Sequence, residues 1–183
     1  MRCATAARSP SFPPCPADDP SFPRKPEPDS ILHESSDVTR FRISPDPIDT
    51  ALLRDRLLHD RAGAFAAFEG WVRNHNDGRA VDGLRYEAYA ALAEAEGERI
   101  VQQALEKFGA IDACCVHRIG DLAIGDLAVW VGVAAAHRGV AFDTCRWIID
   151  EVKSRVPIWK HERYADGRSD WLHPRPENPS DAG

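Results

Sequence analysis

Residues 134–162 read AAAHRGVAFDTCRWIIDEVKSRVPIWKHE, and the rest of the chain is organised around them. The stretch opens as the end of an apolar run, residues 129–136. It turns through His137-Arg138-Gly139 and then takes up helical spacing. Phe142, Cys145, Ile149, Val152 and Val156 recur at intervals of 3, 4, 3 and 4, which predicts one buried helical face. Pro157 lacks a backbone N–H and crowds the preceding turn, so the helix is predicted to end near Arg155 or Val156. Residues 158–164 then leave in extended form.

Working outward, residues 38–43 read as a first strand, and Pro47-Ile48-Asp49 opens a short helix running to Leu58. Residues 64–72 read as a strand in which Gly70 marks a bulge or a close backbone approach. Residues 74–78 are polar and turn-forming, with Asp77-Gly78 at the tip and enough freedom to serve as a lid. Residues 81–89 alternate, with Leu84, Tyr86 and Ala88 on one face, and are expected to form an antiparallel hairpin with residues 64–72. A long helix over residues 92–108 ends at Gly109. Residues 113–119 are a strand, 120–126 a turn and 127–134 another strand. Irregular alternation of strands and helices predicts an α+β fold, a mixed and largely antiparallel sheet with helices packed on it, rather than a doubly wound one.

Composition sets bounds. The chain has 183 residues, 43% hydrophobic and 28% charged, which suits a single domain with a real core. Residues 1–37 are rich in Pro and Ser and predict a disordered leader, read as an extension or a start codon assigned too early. Residues 38–173 form the domain, and 174–183 a flexible tail. The net charge of -6 argues against general nucleic-acid binding, which needs a basic footprint. No apolar run is long enough for a membrane span. The five cysteines have no CxxC spacing, so no metal site is expected, and their odd number suggests a reducing, cytoplasmic setting. Cys114 and Cys115 are read as strand residues with at least one in the core, not as sulfur carriers. Neither a GxGxxG fingerprint nor a P-loop is present, so no cofactor is expected.

The basic residues are the informative ones. On a helical wheel Lys153 falls about 20° from Phe142, at the predicted edge of the buried face. Lys160 follows the proline between Trp159 and His161. His137 and Arg138 sit at a strand-to-helix turn, where backbone N–H groups favour an anion. These four groups are read as converging on one anionic ligand. The plain alternative for each is a lysine snorkelling to water, or an ordinary exposed turn.

Three segments in order carry a family resemblance. Residues 134–162, with His137-Arg138, Lys153 and the run Pro157-Ile158-Trp159-Lys160-His161-Glu162, resemble the large, catalytic subunit of molybdopterin synthase. Phe68-Glu69-Gly70-Trp71-Val72-Arg73-Asn74-His75-Asn76 is similar to that family's FxGxVRNHN. Val116-His117-Arg118-Ile119-Gly120, followed by Gly125-Asp126, is similar to its HRIGxLxxGD. The resemblance covers roughly residues 39–171. It implies a hammerhead-like α+β fold and a sulfurtransferase that converts cyclic pyranopterin monophosphate to molybdopterin. It implies a sulfur donor, a small ubiquitin-like subunit bearing a C-terminal Gly-Gly thiocarboxylate. It also implies a homodimer of large subunits within a heterotetramer.

By the same resemblance Trp71, Val72 and Arg73 bind substrate, and His137 and Arg138 come from the neighbouring protomer. Lys153 lies nearest the incoming thiocarboxylate. Lys160, with His161 and Glu162, forms the second lysine segment, although the family often has arginine where His161 stands. The residues themselves are consistent with this chemistry. A phosphate ester needs several cationic donors, and arginine offers a planar fork. Thiocarboxylate attack and acyl hydrolysis develop oxyanions that a fixed ammonium stabilises, and a partly buried lysine has a pKa suited to proton transfer. Lys153 fits the first role; Lys160 fits either, or phosphate binding. His75 is read as bonding locally, and Arg118 as structural or a partner contact. Glu69 and Glu87 are read as pairing with arginines across a hairpin. Two other functions stay open: a non-catalytic adaptor for a ubiquitin-like tail, and an unrelated phosphoester-binding enzyme.

Overall fold

A computed structural model describes residues 39–76 and 78–172, which form one compact unit. The expected leader and tail lie outside the described residues. The elements in order are β1 (Phe41–Ser44), α1 (Thr50–Arg56), β2 (Ala64–Trp71), β3 (His75–Asn76), β4 (Arg79–Ala88) and α2 (Ala90–Phe108). They continue with β5 (Asp112–Arg118), β6 (Gly120–Leu122), β7 (Leu127–Ala135), α3 (Arg138–Arg155), β8 (Ile158–Tyr164) and β9 (Ser169–Leu172).

Two sheets form. The first has the order β1-β5-β7-β2, and the second β3-β4-β8-β9, with β6 also on β4. Only β1 and β5 pair in parallel among the described strands. The α+β, largely antiparallel expectation therefore holds, divided between two sheets. The first sheet is covered on both faces. Phe41, Cys115, Val131 and Val133 pack with Ile100, Val101, Cys145, Ile148 and Val152 of α2 and α3. Cys114, Val116 and Trp130 pack against Leu53 and Leu57 of α1 on the other. Adjacent Cys114 and Cys115 thus point to opposite faces and are both buried.

Local chemistry sets the boundaries. The Asp49 side chain accepts from Leu52 N to open α1. Gly109 closes α2 in the left-handed region, with φ 67°. The register slips between Gly70 and Trp71, where a Cβ on Gly70 would lie 2.6 Å from Val129. On the outer side of β1, Glu98 accepts from Arg40 N and Phe41 N, and Glu94 accepts from Ile43 N, so α2 covers that edge.

Four expectations are corrected. The expected hairpin between residues 64–72 and 81–89 does not form: β2 pairs with β7, while β4 pairs with β3, β6 and β8. Residues 120–126 are not simply a turn, because β6 adds to β4. Phe142 is exposed, and the buried face of α3 is Ala141, Thr144, Cys145, Ile148, Ile149 and Val152. That face is centred about 90° from Phe142 on the wheel, so Phe142 and Lys153 share an exposed flank. The 74–78 segment is no free lid, since His75–Asn76 is a strand and Asn76 is tied to β8. Among the described residues no helix is long and apolar enough to cross a membrane.

Candidate functional site

The second sheet carries three of the nine sequence-predicted residues, Lys160, His161 and Glu162. Tyr86 of β4 stands opposite Lys160 of β8, and Leu84 opposite Glu162. Side chains alternate along β8, so Lys160, Glu162 and Tyr164 share one face. Glu162 is only 1% exposed. A buried carboxylate needs partners for both oxygens, and this one has them. Lys160 Nζ pairs with Oε1. Tyr164 donates its hydroxyl to Oε2 at 2.8 Å, and Asn76 Nδ2 donates to the same oxygen at 2.9 Å. Burial opposes ionisation of Glu162, but the Lys160 ammonium and these hydrogen bonds outweigh it and hold its pKa below the usual value.

Around this carboxylate the strands place further groups. The Arg79 guanidinium lies 3.4 Å from the Tyr164 ring centroid and pairs with Asp170 at 3.0 Å. The Tyr86 ring meets His117 edge-on, with centroids 4.8 Å apart. His117 donates from Nδ1 to Arg118 O at 2.7 Å, and its burial pushes its pKa down to about 4, so the ring is neutral. Burial pushes the Tyr86 phenol up to about 12, with the Glu162 charge adding to the shift and the Arg73 charge opposing it. The Arg73 charge thus acts on the same phenol as that of Glu162. Arg73 is exposed and follows Val72, which is buried with Leu84, Leu122 and Ala128 and hydrogen-bonded through its backbone to Gly125 and Asp126.

Other predicted residues fall elsewhere. Trp71 is 62% exposed, and its Nε1 donates to Glu69 at 3.2 Å. Glu69 is therefore engaged by Trp71, and Glu87 bonds Arg85 of its own strand at 2.9 Å, not an arginine across a hairpin. His161 points to the opposite face of β8 from Lys160 and Glu162 and stacks on Trp171 at 4.6 Å. Lys153 lies exposed near the C-terminal end of α3, so the premise of partial burial does not hold. Arg118 pairs with Asp126 at 3.5 Å and braces the β5–β7 connection, which is its structural reading. His75 bonds Asn74 locally at 2.9 Å.

The expected convergence of four cations does not occur within one chain. His137 and Arg138 lie exposed at the start of α3. The helix runs back over β7 and β2, so Lys153 is carried toward the Leu127 and Trp71 end. From Arg138 to Lys153 the helix rises about 22 Å, more than two side chains can bridge.

Sequence reasoning missed Tyr86, Asn76 and Tyr164 as members of the cluster. Cross-strand placement joins Tyr86 and Asn76 to Lys160 and Glu162, while Tyr164 reaches Glu162 along β8 itself. The three described cysteines are free and buried; burial raises Cys114 and Cys145 to about 11 and Cys115 well above its ordinary value. Thiolate chemistry is disfavoured at all three. Among the described residues no group of three or more His, Cys, Asp or Glu side chains is placed to hold a metal ion. A cleft of about 320 Å³ lies on the α1 side of the first sheet, lined by Arg40, Arg42, Arg56 and Cys114 among others, and none of the predicted site residues lines it.

These features describe an α+β domain whose basic cluster is built on a buried carboxylate. Comparison with known proteins gives the class a family. The family described as MoaE protein matches residues 43–155. A molybdopterin synthase catalytic subunit from Thermoplasma volcanium is 40% identical over 133 residues, covering 73% of this chain and 97% of the relative. One from Pyrococcus abyssi is 49% identical over 105 residues, covering 57% and 71%. The crystal structure of molybdopterin synthase from Staphylococcus aureus superposes with a TM-score of 0.69 at 37% identity, covering 73% of this chain and 96% of that one. The chain belongs to the MoaE family. The resemblance drawn from the sequence is borne out, and with it the reading of the chain as an enzyme of molybdopterin synthesis.

Proposed function

We propose that this chain is a cytoplasmic sulfurtransferase subunit that makes molybdopterin from cyclic pyranopterin monophosphate. The sulfur comes from the C-terminal thiocarboxylate of a small ubiquitin-like subunit. The observation that carries the reading is the Arg73, Lys160 and Glu162 cluster, with Lys153 brought to the same end of the domain. A phosphorylated substrate and a carboxylate-ended tail are both anionic, and a cationic cluster on a rigid sheet suits them.

In this reading Arg73 binds the substrate phosphate against a wall formed by Trp71 and Val72. Lys153 stabilises the oxyanion that develops when the thiocarboxylate attacks and when the acyl link is later hydrolysed. Lys160, oriented by Glu162, binds phosphate or moves a proton. His161 has the weakest support, because its ring faces away from Lys160. His137 and Arg138 serve the site of a second large subunit. The roughly 22 Å along α3 supports that arrangement, as does the exposed Phe142 beside Arg138, an apolar surface a second protomer would cover.

The test is reconstitution. Purified chain, thiocarboxylated small subunit and cyclic pyranopterin monophosphate are expected to yield the dithiolene product, and Lys153→Ala to abolish it. Lys153 is exposed, so the variant is expected to keep the fold, which its melting temperature checks. Complex formation without product would favour the adaptor reading. Near-wild-type turnover by Lys153→Ala would remove Lys153 from the mechanism.

A further inference from the structure

We infer that Tyr86 is a further substrate-contacting residue of this site, its hydroxyl donating a hydrogen bond to an anionic oxygen of the reacting complex. The inference rests on the function proposed above. Three observations carry it. The ring is fixed, standing opposite Lys160 on one neighbouring strand and opposite Gly120 on the other, with buried His117 packed edge-on at 4.8 Å. Gly120 has no side chain, so nothing from β6 covers the ring at that pairing. The residue is half-buried, and its hydroxyl has no hydrogen-bond partner among the described residues. Its surroundings are charged by Arg73 and Glu162.

A phenol in that place is a donor. Its pKa of about 12 keeps it protonated across the working range. The paired carboxylate of Glu162 already has partners for both oxygens, so the Tyr86 proton is available to a ligand held by Arg73 and Lys160. Two ligand oxygens have the right chemistry: a phosphate ester oxygen of the substrate, and the oxyanion that forms at the thiocarboxylate carbon. A substrate phosphate oxygen is bound in ground state and transition state alike, whereas the oxyanion exists only during reaction.

Tyr86→Phe removes the hydroxyl and leaves the ring against His117. In the reconstituted assay, kcat/KM is expected to fall about 10- to 100-fold, the effect of losing a hydrogen bond to a charged group. A rise in KM at constant kcat assigns the phosphate oxygen. A fall in kcat at constant KM assigns the oxyanion. Unchanged kcat and KM would overturn the inference. If the wild type itself makes no product, the proposed function fails and not this residue alone. A melting temperature within a degree or so of the wild type excludes a purely structural effect, and a large drop in it with unchanged substrate affinity counts against the inference.

Discussion

Mixing two inactive variants is the sharpest test of the shared site. Take Arg73→Ala in one preparation and Arg138→Ala in another. Both side chains are exposed, so each variant should fold. Each homodimer is expected to be nearly inactive, because every site lacks one of its two arginines. Mixed and allowed to exchange subunits at equal concentration, the chains give about one half mixed dimers. In a mixed dimer one site carries both substitutions. The other takes its Arg73 and its Arg138 from the two unsubstituted positions and is intact. Half of the sites in half of the dimers are whole, so activity should recover to about one quarter of wild type. The proposed sharing rests on the rise of about 22 Å along α3 from Arg138 to Lys153, too long for the two side chains to meet. The assay is dithiolene formation after exchange, with each variant alone as the control. Recovery indistinguishable from the separate variants would refute the shared site. So would substantial activity of either variant as a homodimer.

Three further outcomes test the packing. His117, buried and neutral with a pKa near 4 against about 6.5 when unfolded, binds its proton more readily in the unfolded chain. Its contribution is present above pH 6.5 and lost as pH falls towards 4, by an amount of order 3 kcal/mol. Urea denaturation between pH 7 and 5 should show a steeper loss for wild type than for His117→Gln, and equal slopes would reject the assignment. Tyr164→Phe removes a hydrogen bond to the ionised, buried Glu162 and should cost about 1.5 to 3 kcal/mol in the same measurement, where an unchanged midpoint would be the contrary result. Gly97→Ala should destabilise. Helix propensity gains about 1 kcal/mol, but the new Cβ would lie 2.1 Å from the fully buried Phe41 ring, an overpacking worth about 1 to 3 kcal/mol. A raised melting temperature would show that Phe41 can move aside.

Legibility differed by kind of information. Boundaries set by local chemistry were readable: Pro157 ends α3, Gly109 ends α2, and the bulge falls at Gly70. The face of α3 was misread because its small and polar members, Ala141 and Thr144, are as buried as its large ones, while Phe142 is exposed. A pattern that follows large apolar residues cannot detect a face packed by small ones. The partner of β2 was misread because proximity in sequence favours a hairpin, and the chain instead returns through β7.

For the candidate site, the motifs named Arg73, Lys160 and Glu162 but not what holds them together. Asn76 and Tyr86 come to Glu162 and Lys160 through the placement of β3 and the register of β4 on β8, which join residues up to 86 positions apart, while Tyr164 meets Glu162 through the alternation of β8 itself. The sequence by itself determined the element ends, the α+β class and the family, because φ restriction, side-chain period and motif order are local properties. Only the tertiary structure decided which faces are buried and which charges meet. It set His137 and Arg138 at one end of α3 and Lys153 near the other. The reason is that burial and charge pairing depend on what packs across from a residue, and that partner lies far away along the chain.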